Sequence, residues 1–107
     1  MKNNIIIIFV TCRSRREAEK ITGSLLKKRL VACANIIGGI SSRFWWKGKI
    51  ERASETLIIL KTKKEKFRSV EREVKKLHSY DVPEIISVPI SEAGKDYSKW
   101  IADSVVR

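Results

Sequence analysis

At 107 residues the chain is sized for one hydrophobic core and leaves little room for a second domain. A formal charge of +11 raises a nucleic-acid or anionic-membrane partner as a question, and equally a solvated basic surface. Two cysteines without C-x-x-C spacing are too few for a disulfide framework and argue against structural zinc, so reduced thiols in a reducing compartment are expected.

The opening "MKNNIIIIFV" is basic and then apolar, like a secretory leader. The run is too short for a membrane span, and the charged "TCRSRRE" after it has no small-residue cleavage site, so Ile5 to Cys12 is expected to be the first strand of a cytosolic protein. Ser14 and Glu17 form a capping box, and Ala18, Ile21, Leu25 and Leu26 fall at helical spacing through to Leu30. Val31 to Ile37 is extended, Gly38-Gly39 marks a bulge or bend, and Ile40 to Trp46 continues to a turn at Lys47-Gly48. The return strand runs from about Lys49 to Lys61. Thr62 and Glu65 make a second capping box before Phe67, Val70, Val74 and Leu77, the stripe of an amphipathic helix. "HSYDVPE" breaks it, and "IISVPI" is a fourth strand whose Pro89 belongs at an edge or bulge. Asp96 is expected to cap a last helix carrying Tyr97, Trp100, Ile101 and Val105.

This order predicts an α+β, ferredoxin-like β-α-β-β-α-β domain over residues 1–107, with an antiparallel sheet, a long protruding hairpin between the second and third strands, and a C-terminal helix. Right-handed crossovers put the first two helices on one sheet face. The strands are nonetheless apolar on both faces: Ile5, Ile7 and Phe9 point one way and Ile6, Ile8 and Val10 the other. With no further helix to cover the far face, that layer is expected to come from other copies of the chain, and the hairpin to act as an arm onto a neighbour. In "RFWWKGK" the period of two separates Phe44 and Trp46 from Arg43, Trp45 and Lys47, so the two tryptophans meet different environments.

An RNA recognition module shares this topology, but its reading surface needs aromatics on the third strand, and "ERASETLIILKT" has none. The bases concentrate instead on the helices, several of them three or four residues from an acid, as Lys75 is from Glu71, which favours a charge-laced solvated face. Catalytic motifs are missing as well: no phosphate-cradling G-x-x-x-x-G-K-[ST], no G-x-S-x-G. Cys12, among Arg13, Arg15 and Arg16 before a helix start, is the best candidate for a reactive thiolate, with simple burial the stronger reading. Cys33 reads as core. His78, with Asp81 and Glu84 after it, lies where polar groups converge and could ligate a divalent ion, although a surface or interface histidine is favoured on the residues alone.

The segments "LVACANIIGGISSRFWWKGKIE", "ILKTK", "HSYDVPEIISVPI" and "DYSKWI", in this order, resemble the CutA divalent-cation-tolerance family over essentially the whole chain. The family's W-x-G-K hairpin falls on Trp46, Gly48 and Lys49, and its H-P-Y-x-x-P-E on His78, Tyr80, Pro83 and Glu84, with Ser79 where proline is usual. A cysteine proposed as a copper ligand in some members falls on Val10, two positions before Cys12. The resemblance implies a cytoplasmic homotrimer, joined through sheet faces and hairpin arms, that binds divalent metal, copper above all, without requiring it as a cofactor. His78 and Glu84 are the ligand residues it carries over, and no enzymatic activity is implied. Alternatives are a trimeric small-anion or nucleotide sensor with an intersubunit cleft at Trp46, Lys61 and Tyr80, or a scaffolding trimer. Neither a specific nucleic acid nor a membrane is an expected partner.

Overall fold

A computed structural model describes residues 4–106. The strands β1 (Ile5–Cys12), β2 (Cys33–Trp46), β3 (Lys49–Lys63) and β4 (Ile85–Pro89) form one sheet in the order β2-β3-β1-β4, antiparallel at every junction. Helices α1 (Arg15–Lys27) and α2 (Phe67–Leu77) cover one face, and α3 (Lys95–Ser104) follows β4. This is the expected α+β arrangement with a four-stranded open sheet.

Alternation along the strands builds the core. Ile6, Ile8 and Val10 of β1 and Ile58 and Leu60 of β3 point to the helical side and close on Ala18, Ile21 and Leu25 of α1 and Val70 and Val74 of α2. Ile8 and Ile58 are fully buried, so cutting either to alanine costs about 2–5 kcal/mol. Between the helices, Glu73 of α2 accepts hydrogen bonds from Ser24 Oγ at 2.5 Å and Lys28 Nζ at 2.9 Å. These donors hold its carboxyl at about 2, below the ordinary 4.5. Its stabilising effect is therefore complete above pH 4.5 and is lost as pH falls through the folded value of about 2. The melting temperatures of the parent and Glu73→Gln should differ at neutral pH and converge as acid is added through that window.

Local sequence signals mostly hold. Ser14 Oγ accepts from Glu17 N at 3.1 Å, which caps α1 as expected. The second capping box does not form: β3 runs on to Lys63, a 3-10 turn spans Lys64–Lys66, and α2 starts at Phe67 without a side-chain cap. Thr62 is fully buried instead, its hydroxyl donating to Leu30 O at 2.7 Å and tying the end of β3 to the α1–β2 connection. Asp96 lies inside the first turn of α3, whose cap is Gly94. Glu71 pairs with Arg68 at 2.8 Å rather than with Lys75.

A one-residue bulge decides the faces of the hairpin. Ile37 pairs with Leu57 and Ile40 with Glu55, so β2 spends one extra residue between them, with Gly39 at φ 75°. The extra residue inverts the alternation of β2 relative to β3, which places Phe44 and Trp46 on the face opposite α1 and α2, and Arg43 and Trp45 on the helical side. The tip is a two-residue turn with Lys47 at φ 50° and Gly48 at φ 79°, the left-handed pair that matches strand twist.

The open face is partly covered from within the chain, which corrects the expectation that no helix reaches it. Ile101 and Val105 of α3 pack with Ile5, Ala32 and Ile90 at one end of that face. Beyond α3, Ile37, Ile86 and Val88 remain exposed, and Ile7, Phe9, Leu57 and Ile59 are half-buried. Among the described residues no helix is long and apolar enough to cross a membrane.

Candidate metal-binding site and its neighbours

The end of β1 gathers the polar groups. Thr11 lies on the open face, its carbonyl and its hydroxyl both reachable from the segment after α2. His78 Nε2 lies 2.7 Å from Thr11 O, and Tyr80 N donates to His78 Nδ1 at 3.1 Å. A carbonyl only accepts, so Nε2 carries the ring proton and Nδ1 is the acceptor. Thr11 Oγ1 in turn donates to Glu84 Oε1 at 3.5 Å. Thr11 thus brings the two sequence-predicted ligand residues together, with Glu84 exposed and His78 half-buried.

Two further groups complete the cluster. Tyr80 packs its ring 4.8 Å from that of His78 and donates its hydroxyl to Glu55 Oε2 at 2.9 Å. Burial, and then the Glu55 carboxylate, push the Tyr80 phenol up to about 12, so it stays a donor across the physiological range. Glu55 is 6% exposed, an acid buried on the open face that the sequence reading did not single out. Its signal was its register, two residues before Leu57 on the apolar side of β3.

Ser79 shows how this chain manages without the proline that the family pattern carries there. Its N–H and hydroxyl donate to the two oxygens of Glu17 at 2.8 Å and 3.1 Å, and Arg13 N adds a third bond at 3.3 Å. Proline could make neither of the Ser79 bonds. The turn after α2 is thus pinned by side-chain and backbone polar bonds to the start of α1.

The donor set does not make a complete metal site within one protomer. Among the described residues no three His, Cys, Asp or Glu side chains stand close enough to hold an ion. Nδ1 of His78 would have to release the Tyr80 N–H to ligate. Cys12 is no help: it is fully buried on the helical side, and burial raises its thiol above the usual range, which contradicts the thiolate reading and supports the structural one. Cys33 departs from its core assignment. It is half-buried on the open face, 3.9 Å from Lys61 Nζ, while Lys61 donates to Asn35 Oδ1 at 2.6 Å.

Trp46, Lys61 and Tyr80 share the open face but not a place on it. Trp46 pairs with Lys49 at the tip, Lys61 with Cys33 at the far end of β3, and Tyr80 reaches Glu55 between them. Twelve strand residues separate the ends, about 40 Å. A groove of about 800 Å³ lined by Lys64, Phe67, Arg68, Ser87 and Ile90 lies elsewhere and includes none of the predicted site residues.

A sequence model of the CutA1 divalent ion tolerance protein matches residues 6–104. The chain belongs to the CutA1 divalent ion tolerance family. The CutA divalent-cation tolerance protein of Archaeoglobus fulgidus is 48% identical over 98 residues, covering 92% of this chain and 95% of that protein. The Pyrococcus horikoshii protein of the same description is 39% identical over 99 residues, covering 92% and 96%. Solved CutA structures agree in fold. That of Archaeoglobus fulgidus superposes with a TM-score of 0.93 at 46% identity, covering 95% of this chain and 99% of that one. CutA1 of Oryza sativa gives 0.94 at 34%, covering 98% and 96%.

Proposed function

We propose that the protein binds divalent cations, copper foremost, as a homotrimer and serves tolerance to heavy-metal ions rather than catalysing a reaction. CutA family membership supports the metal role, and the exposed apolar remainder of the open face supports the assembly. The chain acts as one domain over residues 1–107. His78 and Glu84 are its ligand residues, and the observation that carries them is their convergence on Thr11. One protomer offers these two donors, so the coordination is completed by water or by a second copy, and copper exchanges with the Tyr80 N–H at Nδ1. The hydrogen bonds that metal must displace make the affinity modest. Trp46, Lys61 and Tyr80, too far apart in one chain to form a cleft, would meet only across subunits.

The working compartment is the cytoplasm, from the sequence reading. Relatives differ in this respect, since the solved Archaeoglobus protein is described as periplasmic and a rice relative, of which this chain covers 56%, as chloroplastic.

Calorimetric titration with copper tests the site. His78→Ala should weaken binding clearly more than Cys33→Ala, because imidazole and carboxylate sit at a polar turn whereas Cys33 lies on the face that assembly would cover. Equal losses in the two variants, with the assembly intact, would remove His78 from the site.

A further inference from the structure

The helical side of the hairpin arm carries an arrangement that metal tolerance does not use. Arg43 and Arg52 stand directly opposite one another across β2 and β3, and the next pair on that side is Trp45 with Ile50. Like charges in direct cross-strand register repel. The acids nearby in sequence, Glu51 and Glu55, alternate to the other face, Glu51 opposite Phe44 and Glu55 opposite Ile40. Neither guanidinium has an ion-pair or side-chain hydrogen-bond partner among the described residues. Trp45 is 72% exposed and Ile50 62%, more than Trp46 on the other face at 41%. Two unneutralised guanidiniums in direct register repel one another until an anion meets them, and the bare indole beside them offers a ring face for stacking.

We propose that this face of the arm binds single-stranded nucleic acid without sequence preference, the two guanidiniums on the phosphate backbone and the Trp45 ring stacked on a base. Arginine forks suit phosphate oxygens, and every base offers a face to an indole. The charge distribution supports the same ligand. Residues 13–30 hold seven cations and two carboxylates, and residues 63–76 seven cations and three carboxylates, so +9 of the +11 belongs to the α1 and α2 segments, the side to which Arg43 and Trp45 point. Those helices supply a long-range field that attracts a polyanion, and the arm supplies the contact. An anionic membrane fits less well. Trp45 and Ile50 are one cross-strand pair on a two-stranded arm, and α1 and α2 add only Leu26, a small apolar area to insert into a bilayer. Binding of this kind is weak, salt-dependent and not sequence-specific.

Fluorescence anisotropy of a labelled oligothymidylate titrated with the intact protein tests it. Affinity should fall about seven-fold between about 50 and 200 mM salt, the slope for two phosphates on a single strand. Trp45→Ala should weaken binding about ten-fold without changing the melting temperature or the assembly. Replacing Arg43 and Arg52 together by alanine should flatten the log–log salt slope by about 1.4. Three results would overturn the proposal: no binding at the lower salt, parent-like affinity in both variants, or binding to phosphatidylserine vesicles but not to the oligonucleotide.

Discussion

The parent protein is expected to scatter light as the proposed trimer, and Ile59→Asp as a folded monomer. Ile59 lies on the open face, registered between Phe9 of β1 and Asn35 of β2, and is half-buried in the protomer. A carboxylate there keeps contact with water in the isolated chain, so far-ultraviolet circular dichroism should be nearly unchanged. In the assembly the same carboxylate would be buried without a partner, which costs several kcal/mol per subunit. The proposed trimer should also survive high salt, because the burial it would give Ile37, Ile59, Ile86 and Val88 is insensitive to charge screening. A monomer mass for the parent protein at micromolar concentration would remove the basis of the proposed assembly.

The second large effect belongs to the hairpin tip. Trp46→Ala should lower thermal stability or loosen the trimer by about 3–5 kcal/mol, while Trp45→Ala should change either by little. The reason is the bulge at Gly39. It turns Phe44 and Trp46 toward the open face that other copies would cover, and leaves Trp45 on the helical side at 72% exposure. Within the protomer Trp46 is 41% exposed, with the Lys47 ammonium 5.9 Å from its ring centroid, so its loss should be felt largely through assembly. Acrylamide quenching gives an independent reading. Trp46 fully accessible in the assembled protein, with the two variants melting together, would mean that the hairpin is not an interface arm.

The candidate site was half legible before the fold was known. His78 and Glu84 are six residues apart in one polar segment, and residue chemistry together with family resemblance was enough to mark them. Thr11 and Glu55 could not be marked. Each is remote from His78 in sequence, and each reaches the site because β1 lies between β3 and β4 in the sheet. Cys12 is buried, as the stronger of its two readings had it, whereas Cys33, read as core, is half-buried on the open face, since an apolar run does not say which face a strand residue takes. Thr62 and Glu65 satisfied a capping pattern in letters only, because β3 still needed Thr62 as a buried strand residue paired with Ile6.

What the sequence determined by itself was whatever depends on near neighbours. Short apolar, β-branched runs set the strands, three-and-four spacing set α1 and α2, Ser14 set a helix start, and Lys47-Gly48 set the hairpin turn, since these signals act within a few residues through backbone sterics and local hydrogen bonds. The tertiary structure alone decided which groups meet. The bulge at Gly39 assigned each tryptophan its face, the docking of Ile101 and Val105 on Ile5 covered one end of a sheet face expected to be bare, and the placement of β1 between β3 and β4 joined His78, Glu84 and Glu55 around Thr11 and Tyr80. Such contacts span up to 73 residues of chain, and no local propensity fixes them. They follow from the one packing in which the apolar sides of β1, β3, α1 and α2 close on each other.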